Sequence, residues 1–317
     1  MGRNYPSLIL ASLLAWAISF ALALKLGSVS DAPIELVMDL RLPRALLGTA
    51  VGLGLAVAGA TLQALFANPL CEPYTLGISS GSTLGAVVGS ALGFNWAFAG
   101  LTGTAFIGAL AFTLALYGIG RAARTSAVGF LLTGVMLGLL GSSLVALVTA
   151  LADPNGIQSA LFWLLGDLSR ARSDGASITL VATLALSVVL WLHWRDLDAL
   201  LIGEQGAEAL GIEVGKLRRK LVVITSLLIA FCVSASGIIG FVGLIIPHLA
   251  RKSAGALHLR MLPVCAIWGA AALTLADVLA RMIARPYEFP VGVVTALVGI
   301  PLFLAVMLRR PAVGGKR

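Results

Sequence analysis

Apolar residues in this chain are gathered into long runs separated by short polar interruptions. A helix needs about 20 mostly apolar residues to cross a bilayer. Runs of that kind occupy 7–26, 44–66, 75–93, 96–119, 128–151, 176–194, 221–236, 262–283 and 291–308, with a shorter one at 241–249. The pattern predicts an all-α integral membrane protein with ten transmembrane helices, forming a single domain over residues 1–317. The run at 241–249 is too short to span unaided. Short, Gly- or Pro-interrupted segments of this kind line pathways, because irregular backbone at membrane depth needs protein or water beside it. The stretch 160–165 predicts a further short helix. At the N-terminus, Arg3 and the run that follows it fit either a cleaved signal peptide or a retained first span. The run is longer than a typical signal core, which favours the span.

Composition agrees with the runs. The chain is 59% apolar and 11% charged, with 36 glycines and a mean hydropathy of +1.00. Soluble domains carry about 25% charged residues, whereas glycine suits closely packed membrane helices. The net charge of +8 does not point to nucleic acid. Its lysines and arginines sit in short clusters between apolar runs, as loop orientation and anionic lipid require. With ten spans and both termini in the cytoplasm, 15 of the 22 basic residues fall on the cytoplasmic side, including the dense cluster 216–220.

The longest polar interruption is 195–220, RDLDALLIGEQGAEALGIEVGKLRRK. Its apolar residues recur at three- and four-residue steps and its glycines break it up, so it predicts one or two short amphipathic helices. Such a loop either lies on the lipid interface or forms a docking surface. Glu204, Glu208 and Glu213 favour a protein partner, since anionic lipid would repel them.

Little catalytic chemistry is legible. There is no GxxxxGK[ST] phosphate-binding loop, so the chain does not bind ATP that way, and no HExxH, GxSxG or paired-carboxylate pattern stands out. Cys71, Cys232 and Cys265 and the scattered histidines fit no metal spacing, and the cysteines read as small buried hydrophobes. Asp277, inside the ninth run, is the exception. An acidic residue there is costly, and Arg281 lies four residues on, where the two can face each other. That spacing fits a structural ion pair as well as a functional group.

Several motifs together resemble one family. They are RLPRALLG (41–48), GATLQALFANPLCEP (59–73), LGISSGSTLGA (76–86), GEQGAEALGIEVGKLRR (203–219), GIIGFVGLIIPHLAR (237–251), LADVLAR (275–281) and EFPVGVVTALVGIPLFLAVMLRR (288–310). The chain resembles the permease subunits of the iron-chelate, haem and cobalamin ATP-binding-cassette importers. The resemblance implies the type II importer fold with ten spans per subunit, a homodimer with its pathway on the two-fold axis, and multi-pass placement in the bacterial inner membrane. It implies two cytoplasmic ATPase subunits, which use ATP and Mg, and a periplasmic or lipid-anchored substrate-binding protein. This chain itself is expected to hold no cofactor.

The resemblance also assigns residues. Arg41 and Arg281 correspond to arginines that meet glutamates of the binding protein, with phosphate-headgroup anchoring as the competing reading; Arg44 reads as a helix-start or headgroup residue. Asn68, Pro69 and Leu70 correspond to a cytoplasmic gate, or else form an ordinary helix-ending turn. Residues 204–215 correspond to the helix that couples to the ATPase, with Glu204, Ala207, Glu208, Leu210, Gly211 and Gly215 as its contacts. Pro247 and His248 belong to an Ile-Pro-His signature in which His248 is expected to make a structural hydrogen bond. Arg170 and Arg172 stand where many relatives carry less charge, so they are candidates to touch the binding protein or its cargo. An iron-siderophore is the first expected substrate, with haem and cobalamin close behind. The alternative function is a secondary transporter without an ATPase, but the spans lack the ionisable residues that ion coupling needs.

Overall fold

A computed structural model describes residues 5–27, 33–93, 98–122, 126–151, 163–285 and 287–308. The short helix expected at 160–165 lies largely outside them. The helices, in chain order, are α1 (Tyr5–Lys25), α2 (Ile34–Leu65), α3 (Ile78–Ala91), α4 (Phe98–Ala122), α5 (Ala127–Leu151), α6 (Ser173–Leu192), α7 (Trp194–Leu200), α8 (Glu204–Ala209), α9 (Val214–Ser236), α10 (Val242–Ala254), α11 (His258–Met282) and α12 (Val291–Leu308).

Each of the ten apolar runs forms a helix. Among the described residues, seven helices are long and apolar enough to cross a membrane: α1, α2, α4, α5, α6, α9 and α11. The expectation of an all-α, multi-span bundle is met, while ten full-length spans are not confirmed among the described residues. The 14 residues of α3 rise only about 21 Å, against a hydrocarbon core of about 30 Å. The predicted run at 75–93 is broken at its start by Gly77, whose φ of +72° ends a 3₁₀ turn, Pro73–Leu76. A Cβ at Gly77 would stand 2.6 Å from the carbonyl oxygen of Gly134 on α5, so the break is also a close helix contact. The 13-residue α10 is short too, as its sequence predicts. The apolar stretch of α12 extends over Val291–Ala305.

The axis of the bundle is α2. Its sequence is dominated by Gly, Ala, Val and Leu, and nearly all of its apolar window is buried. Four helices, α6, α9, α10 and α11, pack around it. Small side chains let backbones approach where there is no hydrophobic gain over lipid. A Cβ at Gly52 would lie 2.2 Å from the oxygen of Gly269 on α11, and one at Gly59 would lie 1.9 Å from the oxygen of Gly243 on α10. Cys265 Sγ donates to the Ala56 carbonyl at the α11 crossing (3.3 Å), and all three cysteines are buried. Polar side chains add interhelical bonds: Trp268 Nε1–H to Ser12 Oγ (2.8 Å) and Trp16 Nε1–H to Thr49 Oγ1 (3.2 Å) join α1 to α11 and α2. Away from this centre, large apolar side chains such as Leu14, Ile107, Leu139, Val181 and Leu297 are exposed, as helices facing lipid or a second subunit require.

Candidate functional site

Polar groups collect at the two ends of the bundle and at the irregular segment that follows α2. At one end α1 stops, α2 begins and α11 finishes. Pro43 shapes the passage from the first turns of α2 into its regular part, Leu42–Leu65. It has no N–H to offer the carbonyl four residues back, and the turn before it, Val37–Arg41, is π-helical.

Arg44 projects from the first regular turn of α2 into a buried ion cluster. Its Nε donates to both carboxylate oxygens of Asp277 on α11 at 3.0 Å, and Nη2 lies 2.9 Å from Asp277 Oδ1. Its Nη1 reaches Glu288 Oε2 at 2.6 Å. Bidentate geometry of this kind is the strong form of a charge-assisted hydrogen bond. The expected pairing of Asp277 with Arg281 is present, with Nε 3.2 Å from Asp277 Oδ2. Of the two readings expected of Arg44, helix start or headgroup residue, its place in the first α-helical turn after Leu42 fits the first; its side chain is the main partner of the buried acid. The reason is geometric: it lies in the first α-helical turn after the π-helical stretch of α2, level with the last turns of α11.

Arg41 and Arg281 stand beside this cluster and are 7% and 2% exposed. Both turn toward α1. Arg41 Nη1 donates to the carbonyls of Leu24 (3.0 Å) and Lys25 (2.8 Å), and Arg281 Nη1 to those of Ala23 (3.3 Å) and Leu26 (3.2 Å). The last carbonyls of a helix lack intrahelical partners and carry partial negative charge, so two guanidinium groups complete the end of α1. Gly27 permits this, because a Cβ there would stand 2.9 Å from Arg41 Nη2. A cavity of about 230 Å³ opens among Gly27, Arg41, Arg44, Arg281, Glu288 and Ser169. Ser169 brings the 166–175 segment to this end. Within that segment Asp167 is spent locally, accepting from Ser169 N–H and Oγ–H (both 2.7 Å), while Arg170 and Arg172 are exposed.

The irregular segment follows α2. Ala67 is left-handed (φ +47°), and Asn68 Oδ1 accepts the Leu70 N–H at 2.9 Å, a side-chain turn that Asn favours. Pro69 and Leu70 are exposed and Asn68 is half-buried. Behind the turn, Pro247 inside α10 leaves the Gly243 carbonyl without its helical donor. Gln63 Nε2 on α2 lies 3.4 Å from that oxygen, and Arg251 Nη2 donates to Gln63 Oε1 at 3.2 Å. Pro247 is thus a point where α2 grips α10. His248 follows it, half-buried. Burial raises the Glu72 carboxyl above the ordinary carboxylate range, and the N–H of Phe241 opposes that shift.

At the opposite end, the predicted loop folds as α7, α8 and the first turns of α9. Glu204 opens α8 and forms an ion pair with the buried Arg218 of α9. Ala207 is fully buried, so it seats α8 on the bundle, while Glu208, Leu210, Gly211 and Gly215 face outward. Leu210 is 65% exposed, with Leu201 and Ile202 also open. Gly203 (φ +91°) and Gly211 (φ +82°) bracket the helix in a conformation that other residues adopt at a cost. The contact that sequence reasoning missed here is Asp198 on α7, whose carboxylate receives the backbone N–H of His258. Its only signal was an acid in the loop.

A bundle of apolar helices around a small-residue axis, with charge confined to its ends and a protruding loop at one of them, defines a multi-pass membrane permease. The model of the FecCD transport family matches residues 7–309, and the chain belongs to that family, the permease subunits of ATP-binding-cassette importers. It is 37% identical over 325 residues to the vitamin B12 import system permease protein BtuC of Vibrio vulnificus, covering 97% of this chain and 95% of that protein. It is 36% identical over 332 residues to the hemin transport system permease protein HmuU of Yersinia pestis, covering 98% of each. Among solved structures, a metal-chelate type ABC transporter in an inward-facing conformation superposes with a TM-score of 0.88 at 31% identity, over 96% of this chain and 99% of that one. PsaBC of Streptococcus pneumoniae shares the fold, with a TM-score of 0.56 at 21% identity over 85% and 92%.

Proposed function

We propose that this chain is the translocation subunit of an importer for an organic metal complex, working as a homodimer in the bacterial inner membrane with both termini in the cytoplasm. The observation that carries the reading is near full-length similarity to permeases named for cobalamin and hemin import. Both cargoes are large metal chelates, and an iron-siderophore, the first expectation from the sequence, belongs to the same class. Two ATPase subunits, which use ATP and Mg, dock on the loop containing α8. The exposed Leu210, flanked by Glu208, Gly211 and Gly215, is the surface they meet, with Glu204 and Ala207 holding α8 in place. The loop's basic residues support its cytoplasmic side.

A binding protein docks at the other end. The exposed Arg170 and Arg172 offer it charge directly, which steers and registers an acidic partner. Arg41 and Arg281 join once their guanidinium groups exchange the α1 carbonyls for carboxylates of the binding protein. Asn68, Pro69 and Leu70, with the same turn of the second subunit, close the cytoplasmic mouth of the path. Pro247 and His248 support that turn from α10. Asp277 serves structure, holding the arginines of the docking end in register.

The test is co-purification. Tagged chain is expected to bring down a subunit carrying a GxxxxGK[ST] loop, and Leu210→Arg is expected to lose it. Retention of the ATPase by Leu210→Arg removes the docking assignment. Purification without any ATPase removes the importer reading.

A further inference from the structure

We propose that Asp198 is a positioning residue that fastens the ATPase-facing loop to α11, so that displacement of α8 is delivered to the far end of the bundle. The inference rests on the importer reading above and deepens it. His258 is the first residue of α11, and the residue before it, Leu257, makes no side-chain cap. The cap comes instead from a different helix. Asp198 Oδ1 accepts both the His258 backbone N–H at 2.8 Å and the ring Nδ1–H at 2.6 Å. An aspartate is among the best acceptors for the free N–H groups of a helix start. The His258 side chain is 1% exposed and that of Asp198 16%, so the joint is largely shielded from water. A second tie lies beside it: Trp191 Nε1–H, from the last turn of α6, donates to the Leu259 carbonyl at 3.1 Å.

The connection from this joint to α8 is short and internally bonded. Leu201, Ile202 and Gly203 donate their N–H groups back to Asp198, Ala199 and Leu200, and Ala207 donates to Gly203. The fully buried Ala207 keeps α8 seated. A push on Leu210 therefore moves α7 and α8 together, and Asp198 carries the motion into α11. That helix runs 25 residues, about 37 Å, and ends at Asp277 and Arg281 in the arginine cluster. One rigid element thus has a side-chain fastening at each end, one on the ATPase side and one on the proposed docking side. Linkage makes such a coupling reciprocal for binding, so a partner at one end is felt at the other.

The test uses the assembled transporter in lipid nanodiscs, this chain with its ATPase and binding protein, and compares ATPase rates with and without the binding protein. Asp198→Ala is expected to keep the basal rate within about two-fold and to reduce stimulation by the binding protein at least about five-fold. Asp198→Asn keeps an amide oxygen for the His258 N–H and is expected to retain most of the stimulation, which a charge requirement or general misfolding would not allow. Trp191→Phe removes only the second tie and is expected to lose part of the stimulation; it carries the test if Asp198→Ala does not assemble. Wild-type stimulation in an assembled Asp198→Ala overturns the proposal, as does wild-type stimulation in Trp191→Phe where Asp198→Ala does not assemble. So does an equal loss of basal and stimulated rates, which would make the joint merely structural. A wild-type assembly without ATPase activity removes the importer reading itself, and this inference with it.

Discussion

Arg44 and Asp277 lie 233 positions apart in sequence and meet as a bidentate ion pair, buried where the regular part of α2 starts and α11 ends. The pair joins the bundle axis to the helix that holds Arg281, and through Arg281 to the end of α1. An unpaired charge here would be costly, because neither lipid nor packed side chains can solvate it.

Asp277→Ala is therefore expected to lower stability by about 3 kcal/mol, within the range for breaking a buried pair. Arg44→Met with Asp277→Leu, which leaves Glu288 and Arg281 as the remaining opposite charges of the cluster, is expected to cost less than the sum of the two single changes. Thermal unfolding in lipid nanodiscs reads the difference. A double variant as unstable as the sum of the two singles would mean that the residues act independently.

The α2–α10 crossing has no room for a methyl group at Gly59, where a Cβ would meet the Gly243 carbonyl at 1.9 Å. Gly59→Ala is expected to destabilise by about 1–3 kcal/mol, the usual range for overpacking. Gly103→Ala, at a position where a Cβ meets nothing within 4 Å, is the control and is expected to be near neutral. Equal melting temperatures for the two variants would show that helix separation at Gly59 costs nothing.

How far such features were legible in the sequence depended on distance along the chain. The pairing of Asp277 with Arg281 was readable because a spacing of four fixes neighbours on a helix. The larger role of Arg44 was not, since no local pattern connects it to an acid on another helix. The apolar runs gave the helices, but not the break at Gly77, which is set by the approach of α5. Arg41 and Arg281 were expected at a rim. The structure sets them side by side where α1, α2 and α11 meet, bonded to α1 carbonyls that composition cannot reveal. The six residues of α8 make less than two turns, too few for periodicity to separate the buried Ala207 from the exposed Leu210 just beyond its end.

The Asn68 turn carries its own prediction. Asn68→Ala removes the bond from Leu70 N–H, worth about 1 kcal/mol, and leaves Pro69 in place. If the turn closes the cytoplasmic mouth, vesicles carrying this variant are expected to leak preloaded cyanocobalamin faster than wild type, without ATP. Unchanged leakage would place the closure elsewhere.

Docking at the other end is tested by charge. Arg41→Glu together with Arg281→Glu reverses two positive charges, and close like-charge contacts cost several kcal/mol. ATP-driven uptake through the binding protein is expected to fall at least tenfold, the factor given by about 1.4 kcal/mol. Both arginines also complete α1, so the melting temperature of the double variant must be read alongside. Arg170→Glu with Arg172→Glu, both at exposed positions, is expected to weaken binding-protein association without lowering that temperature. Undiminished association in the second variant would remove the exposed arginines from the docking surface.

The central claim is ATP-driven import of a metal chelate, and uptake into proteoliposomes tests it most directly. The chain is reconstituted with its ATPase and binding protein, and an iron-siderophore, haem and cobalamin are offered in parallel. The account predicts accumulation of at least one of them, dependent on internal ATP and on the binding protein. Accumulation driven by an ion gradient in the absence of the ATPase would contradict it.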